Sequence, residues 1–348
     1  MRRIIELCGA AKFKSSIDLT SGFLQVNLEN ESKKYCAFRT DLGFFEYCKM
    51  PFGAKNSSKT FQRLMNFVLR GAESYCLSHI DDIIIFSETW ESHLAHLRDI
   101  LLRLKDAGLV AKKSKAKFGR DKLKCLGHVL ENQKIYPDPD KIKAISEWPP
   151  LKTKKNVKSF VDCANFYRSF IHNFASIAKP LTDLTRRDQP EKLIWKDIHE
   201  QAFQALKNSL CAGPVLAPPD PTRPYIFKSD ASANAVACIL LQCNEVGEEH
   251  PVGFASRKLL PRESHYSTVE RELLGIVWGL SHFESYTYGS TIEVRTDHAC
   301  LKWLSHMANQ NARLTRWAIA LERYNISEIN HVPGKNFNDV DGLSRSFL

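Results

Sequence analysis

No uninterrupted apolar run in the 348-residue chain approaches the roughly 20 residues that cross a bilayer as a helix. The N-terminus lacks the long apolar segment of a signal peptide. Ten cysteines are scattered without a Cys-x-x-Cys, so neither a dense disulfide framework nor a zinc-ligand spacing is present. The closest pair is Cys238 and Cys243, and Cys238 falls in an apolar run where a small core residue is the reading. These lacks point to a reduced, intracellular setting. What is there is ordinary for a soluble globular protein: 43% hydrophobic and 25% charged residues, with length for two or three domains.

Forty-nine Lys and Arg stand against 39 Asp and Glu, leaving +10. The excess concentrates between Leu101 and Leu130, which suits a phosphate backbone and equally a solvated basic face.

The stretch Tyr75 to Ser87 places two adjacent carboxylates, Asp81 and Asp82, between the apolar runs Cys76–Ile80 and Ile83–Phe86. Runs this short and β-branched predict buried strands, with the acids at the turn. Two carboxylates forced together repel unless a cation neutralises them, which suggests an oxygen-ligand metal site; an Asp-tolerant turn is the plainer alternative. Asp18 ends an earlier strand before a Ser-Gly turn and could face the pair across a sheet. Phe23–Leu28 shows partial alternation, and Tyr35–Thr40 with Phe44–Cys48 predicts a hairpin. A helix capped by Ser57 or Ser58 follows, with the stripe Phe61, Leu64, Met65, Val68 and Leu69. A second carries Leu94, Leu97, Ile100, Leu101 and Leu104 and stops near Gly108.

Ile17-Asp-Leu-Thr-Ser-Gly-Phe23, Met50-Pro-Phe-Gly53, Thr60-Phe-Gln-Arg-Leu-Met65 and Ile80-Asp-Asp-Ile-Ile-Ile-Phe-Ser87, in this order, resemble the palm of a retrotransposon reverse transcriptase. The match is to the Pol polyprotein of gypsy-class long-terminal-repeat elements, and it runs through essentially the whole chain. The resemblance implies that Asp18, Asp81 and Asp82 hold two Mg2+ ions, with Mn2+ an alternative. It implies that Phe23 excludes a 2′-hydroxyl under the incoming sugar, and that Phe52 and Gly53 lie beside the base. His79 stands where the family usually has Tyr or another aromatic, and the family's fingers would lie before Met1.

Pro137 to Trp148 and Pro149-Pro150 read as a linker, and Val157–Ile171 as a helix with an aromatic face. Beyond Pro224, strands are expected at Tyr225–Asp230, Ala235–Gln242, Pro251–Ser256, Ile292–Asp297 and Ile326–Val332. Helices are expected at Val269–Leu280, Ala299–Leu304 and Leu314–Tyr324. Strand-end acids at Asp230 and Asp297, Glu272 on a helix and a late Asp341 make a second two-metal set. Singly, each is more often a turn, cap or surface charge. Together they resemble the ribonuclease H domain of the same polyproteins, in which Glu272 rather than Glu270 is the catalytic match and His331 the mobile histidine of product release.

The expected fold is therefore multidomain α+β and α/β. A reverse transcriptase palm with an antiparallel sheet and helices occupies 1–140, a connection region 141–222, and a ribonuclease H-like domain 223–348. The implied activities are RNA-directed DNA polymerisation and cleavage of RNA in RNA–DNA hybrids. Implied partners are RNA template, DNA primer, hybrid, deoxynucleoside triphosphates, and protease and integrase segments not visible here. The implied location is cytoplasmic, in a virus-like particle with nuclear access, and no membrane partner is expected. A non-catalytic nucleic-acid-binding relic and a chain with ribonuclease H activity alone remain the alternatives, the former opposed by the seven retained carboxylates.

Overall fold

A computed structural model describes residues 2–190, 192–296 and 312–332. By packing the chain forms two units, 1–135 and 136–348.

The first unit begins with helix α1 (Arg2–Ala10) and strand β1 (Phe13–Asp18). A short helix α2 (Asn30–Lys33) precedes the hairpin β2 (Ala37–Thr40) and β3 (Gly43–Glu46). Helix α3 (Ser57–Val68) leads to β4 (Cys76–His79), β5 (Asp82–Ser87) and α4 (Trp90–Asp106). Strand β6 (Lys117–Arg120) then joins the main sheet, whose order is β4-β5-β1-β6 with antiparallel neighbours. Strands β7 (Leu123–Cys125), β8 (His128–Glu131) and β9 (Lys134–Pro137) form a small sheet. Ile17 and Leu19, Ile83 and Ile85, Phe61 and Met65 of α3, and Ile100 and Leu104 of α4 share one core. Ile84 is buried as well, so both faces of β5 are covered and the run is apolar without alternation.

Three local expectations need correction. Phe23–Leu28 is no strand: Gly22–Gln25 is a 3-10 turn. Gly22 permits it, because a Cβ there would stand 2.8 Å from the Phe61 ring. The N-cap of α3 is Asn56, while the Ser57 hydroxyl donates to the Pro51 carbonyl at 3.0 Å. In α4, Leu94 and Leu101 face solvent, and the inward position is taken by His93, which is fully buried. The ring of His93 contacts the Ser15 hydroxyl at 2.7 Å and the Ser87 hydroxyl at 2.9 Å. Ser87 also meets His96 at 2.8 Å, and Ser15 accepts the Gly119 amide at 2.9 Å. A polar chain thus crosses the base of the sheet with hydrogen-bond partners along it.

In the second unit the expected linker is a helix, α5 (Pro139–Ser146). Asp138 caps it by accepting the Asp140 amide, and Pro139 occupies the first turn, where its missing N–H costs nothing. Helices α6 (Lys154–Phe166), α7 (Phe174–Leu184) and α8 (Asp197–Cys211) follow. Phe160, Tyr167 and Phe203 are buried among them, so these aromatics are core. A five-stranded sheet comes next: β10 (Tyr225–Ala231), β11 (Ala235–Cys243), β12 (Glu249–Lys258), β13 (Thr291–Thr296) and β14 (Asn325–His331), in the order β12-β11-β10-β13-β14. Strand β11 runs antiparallel to both β10 and β12; β10, β13 and β14 run parallel. Helix α9 (Thr268–His282) lies on this sheet, followed by the short α10 (Glu284–Thr287) and by α11 (Ala312–Leu321).

The edge strand β12 is covered. Its Pro251 carbonyl accepts the Ala217 amide at 2.8 Å, and its Ser256 carbonyl accepts the Arg168 guanidinium. The Ser256 hydroxyl accepts the Ala175 amide at 2.9 Å, and Lys258 pairs with Asp183 at 3.0 Å. The expected helix 299–304 lies outside the described residues.

Candidate active sites

Asp18 and Asp82 are register partners at the ends of β1 and β5, and Asp81 belongs to the two-residue turn that joins β4 to β5. The Leu19 amide donates to the Asp81 carbonyl at 3.3 Å, tying the turn to the end of β1. Asp18, Asp81 and Asp82 thereby share one sheet end, because β1 ends and β5 begins there in register. Partial desolvation, then the charges of Asp81 and Asp18, push the Asp82 carboxyl above its ordinary pKa.

Phe23 and Phe52 are brought together, with ring centroids 5.4 Å apart, and Phe23 rests edge-on against Phe61 at 5.5 Å. Phe61 is buried; Phe52 is exposed. Gly53 has φ +87, a left-handed backbone that favours glycine.

Two residues near this site were given no role by the sequence. Lys115 places its ammonium 2.8 Å from the Asp18 carboxylate and supplies positive charge to Asp81 and Asp82 also. Its signal was only the basic run, in which nothing singled it out. Gln62 of α3 accepts the Ile80 amide at 2.8 Å beside the turn.

In the second unit Asp230 lies near the end of β10, and Glu272, buried, on α9 facing the sheet. Close approach is set by glycines on the same helix face: Gly275 lies over Ser229, and at Gly279 a Cβ would stand 2.4 Å from Phe227 and 2.8 Å from the Cys238 sulfur. Glu270 points elsewhere. It closes a capping box with Ser267 and pairs with Arg313 at 2.9 Å. Thr296, the last residue of β13, is fully buried and pairs in register with His331. Asp297 and Asp341 lie outside the described residues. Beside the start of α9, Arg262, Tyr266, Arg313, Arg316 and Trp317 line an open cleft of about 500 Å³, with Arg313 stacked over the Tyr266 ring at 4.1 Å.

Residues 2–130 match the reverse transcriptase family (RNA-dependent DNA polymerase), and residues 220–324 match the RNase H-like domain found in reverse transcriptase. The retrovirus-related Pol polyprotein from transposon opus of Drosophila melanogaster is 38% identical across 97% of this chain and 34% of that polyprotein. The chain belongs to the Pol polyprotein family of gypsy-class retrotransposons. Another Pol relative, from transposon gypsy of the same fly, is 34% identical over 99% of this chain. The Tf2-3 transposon polyprotein of Schizosaccharomyces pombe is 31% identical over 95%. The chain spans about a third of the length of the two fly polyproteins. Among solved structures, the foamy viral protease-reverse transcriptase in complex with double-stranded DNA shares the fold, with a TM-score of 0.82 at 22% identity, over 95% of this chain and 59% of that one. The same viral protein in complex with RNA/DNA hybrid gives 0.76 at 23%, over 94% of this chain and 45% of that one.

Both Pol domain families depend on divalent metal. The donor chemistry here fits: Asp18, Asp81 and Asp82 offer hard oxygen ligands, and the Asp82 carboxyl is raised first by burial and then by repulsion from Asp81 and Asp18, which a cation would relieve. Among the described residues no three Asp, Glu, His or Cys side chains are gathered closely enough to hold a metal ion. The Asp18 carboxylate is paired instead with the Lys115 ammonium at 2.8 Å.

Proposed function

We propose that the first unit joins deoxynucleotides to a primer on an RNA or DNA template, and that the second cleaves the RNA strand of RNA–DNA hybrids. The observation that carries the first half is the register pairing of Asp18 with Asp82 beside Asp81. In our reading Asp18, Asp81 and Asp82 hold Mg2+ in the palm, and Asp230, Glu272, Asp297 and Asp341 hold it in the second site. When bound, paired divalent cations activate the attacking oxygen and neutralise charge on the phosphate and leaving group.

The chain's own residues do the rest. Phe23, braced by Phe61, forms a wall under the incoming sugar, and Phe52 with Gly53 borders the base. Lys115, paired with Asp18, supplies a positive charge beside the carboxylates that a triphosphate would meet. In the second unit, the glycines of α9 hold Glu272 against the strand that bears Asp230. His331 stands at the same sheet end, where product would leave. The Arg262–Arg316 cleft offers guanidiniums to phosphates and the Trp317 ring to a sugar or base, so hybrid is held through its backbone with little sequence preference. The functional division is palm 1–140, connection 141–222 and ribonuclease H 223–348, working inside the cell as part of a longer Pol product.

The test is cleavage of a labelled RNA–DNA hybrid in Mg2+ beside primer extension on the same template. Both activities are expected to depend on the metal. Cleavage without extension would restrict the function to the second unit; neither, with hybrid still bound, would leave a nucleic-acid-binding relic.

A further inference from the structure

The turn that carries Asp81 is strained. Ile80, its first residue, has φ +59, a left-handed conformation that a β-branched side chain adopts only under constraint. Two-residue hairpins with positive φ at this place favour glycine or asparagine. Something must hold Ile80 there, and one side chain does most of it. The Gln62 carboxamide accepts the Ile80 amide at 2.8 Å through its oxygen. Its nitrogen donates to the Ser78 carbonyl at 3.3 Å and lies 3.2 Å from the Ser78 hydroxyl, on the strand entering the turn. The same nitrogen reaches the Asn66 side chain at 2.9 Å, which fixes the amide one helical turn along α3. Gln62 therefore grips the hairpin on both sides of His79 from a helix whose neighbours Phe61 and Met65 are fully buried.

We propose that Gln62 is a positioning residue for the polymerase site: it fixes the backbone of the Ile80–Asp81 turn so that Asp81 and Asp82 present their carboxylates to a metal beside Asp18. The proposal rests on the reading of those three acids as the palm metal ligands. Gln62 touches neither metal nor nucleotide; it acts through the turn. Without it, the strained φ has no hydrogen bond in compensation and the turn relaxes, moving both aspartates relative to β1.

The experiment uses the full chain with Asp230→Asn and Glu272→Gln, so that Mn2+ binding, read by electron paramagnetic resonance, reports the palm alone. Gln62→Leu is expected to weaken Mn2+ binding about tenfold, the scale of one lost part-buried hydrogen bond with its orphaned partner. Adding Ile80→Gly, which adopts positive φ without strain, is expected to restore most of it. A structural role in α3 alone would not produce that rescue. Unchanged Mn2+ binding in Gln62→Leu, where Asp82→Asn abolishes it, overturns the positioning role and leaves the metal site standing. Unchanged binding in Asp82→Asn overturns the metal site itself, and the proposal with it. Should Gln62→Leu fail to fold, hydrogen exchange in the parent chain decides: the Ile80 amide must be protected well beyond an open turn, and exchange at the rate of an exposed loop refutes the grip.

Discussion

Gly279 sits against Phe227 so closely that a methyl group in place of its hydrogen would stand 2.4 Å from the ring. Phe227 is fully buried and Cys238, the other neighbour, is nearly so; neither can withdraw. Four residues earlier, Gly275 would place its Cβ an ordinary 3.6 Å from Ser229. Gly279→Ala should destabilise the second unit by about 1–2 kcal/mol, overpacking outweighing the helix-propensity gain. Gly275→Ala should be neutral or stabilise by up to about 1 kcal/mol. Urea unfolding of both variants checks the contrast; equal effects would show that the helix is not seated through Gly279.

The two glutamates of α9 should separate in the same way. Glu272→Gln is expected to lower hybrid cleavage at least about 100-fold while leaving the melting temperature unchanged or raised, since it replaces a buried acid by a neutral amide. Glu270→Gln removes charge from the capping box and the Arg313 pair, costing about 1 kcal/mol of stability with cleavage retained. Cleavage that survives Glu272→Gln would exclude this acid from the site.

Stability of the first unit should fall with acid. Burial, and then the nearby His96 ring, hold His93 below the ordinary imidazole pKa; burial does the same to His96, against the pull of Asp99. A lowered folded-state pKa means that protons bind the unfolded chain better. The contribution is complete above the unfolded value of about 6.5 and is lost as pH drops from there toward the lowered folded values. Each imidazole can contribute a slope of at most about 1.4 kcal/mol per pH unit. Denaturation between pH 7.5 and 5 should show this loss, and His93→Gln should flatten it; a slope unchanged by the substitution would assign the effect elsewhere.

The cleft beside α9 predicts a salt effect. Arg262 and Arg316 are exposed on its rim. Replacing both by Gln should weaken hybrid binding several-fold at moderate salt and reduce the slope of log affinity against log salt by about 2, with the cleavage rate of bound hybrid unaltered. An unchanged slope would place the hybrid elsewhere.

Legibility in the sequence followed locality. The Asp81–Asp82 hairpin, the strands flanking it and the strands and helices of the second sheet were readable because each is a contiguous run with its own period. Helix α5 was lost because Pro137 and Pro149-Pro150 read as loop punctuation, although Asp138 followed by Pro139 is also a helix start. His93 was passed over because the leucines that follow it completed a plausible stripe, and only the structure shows hydroxyls from β1 and β5 waiting for its ring. Lys115 and Gln62 act through single contacts made across the fold. A lone lysine in a basic run carries no periodic signature, and although Gln62 lies in the Thr60–Met65 motif, no local pattern shows that its amide reaches the hairpin.

The bonds made to β12 bear on where this chain can be cut. A sheet edge whose carbonyls are open invites another strand, and here Ala217 and the Arg168 guanidinium already occupy two of those acceptors. Both donors lie upstream of the sheet, in the segment read as connection. Severing the chain just before residue 223 and losing that segment would turn satisfied edge groups into an adhesive one, so the excised sheet domain should self-associate where the longer piece, begun at 136, stays dispersed.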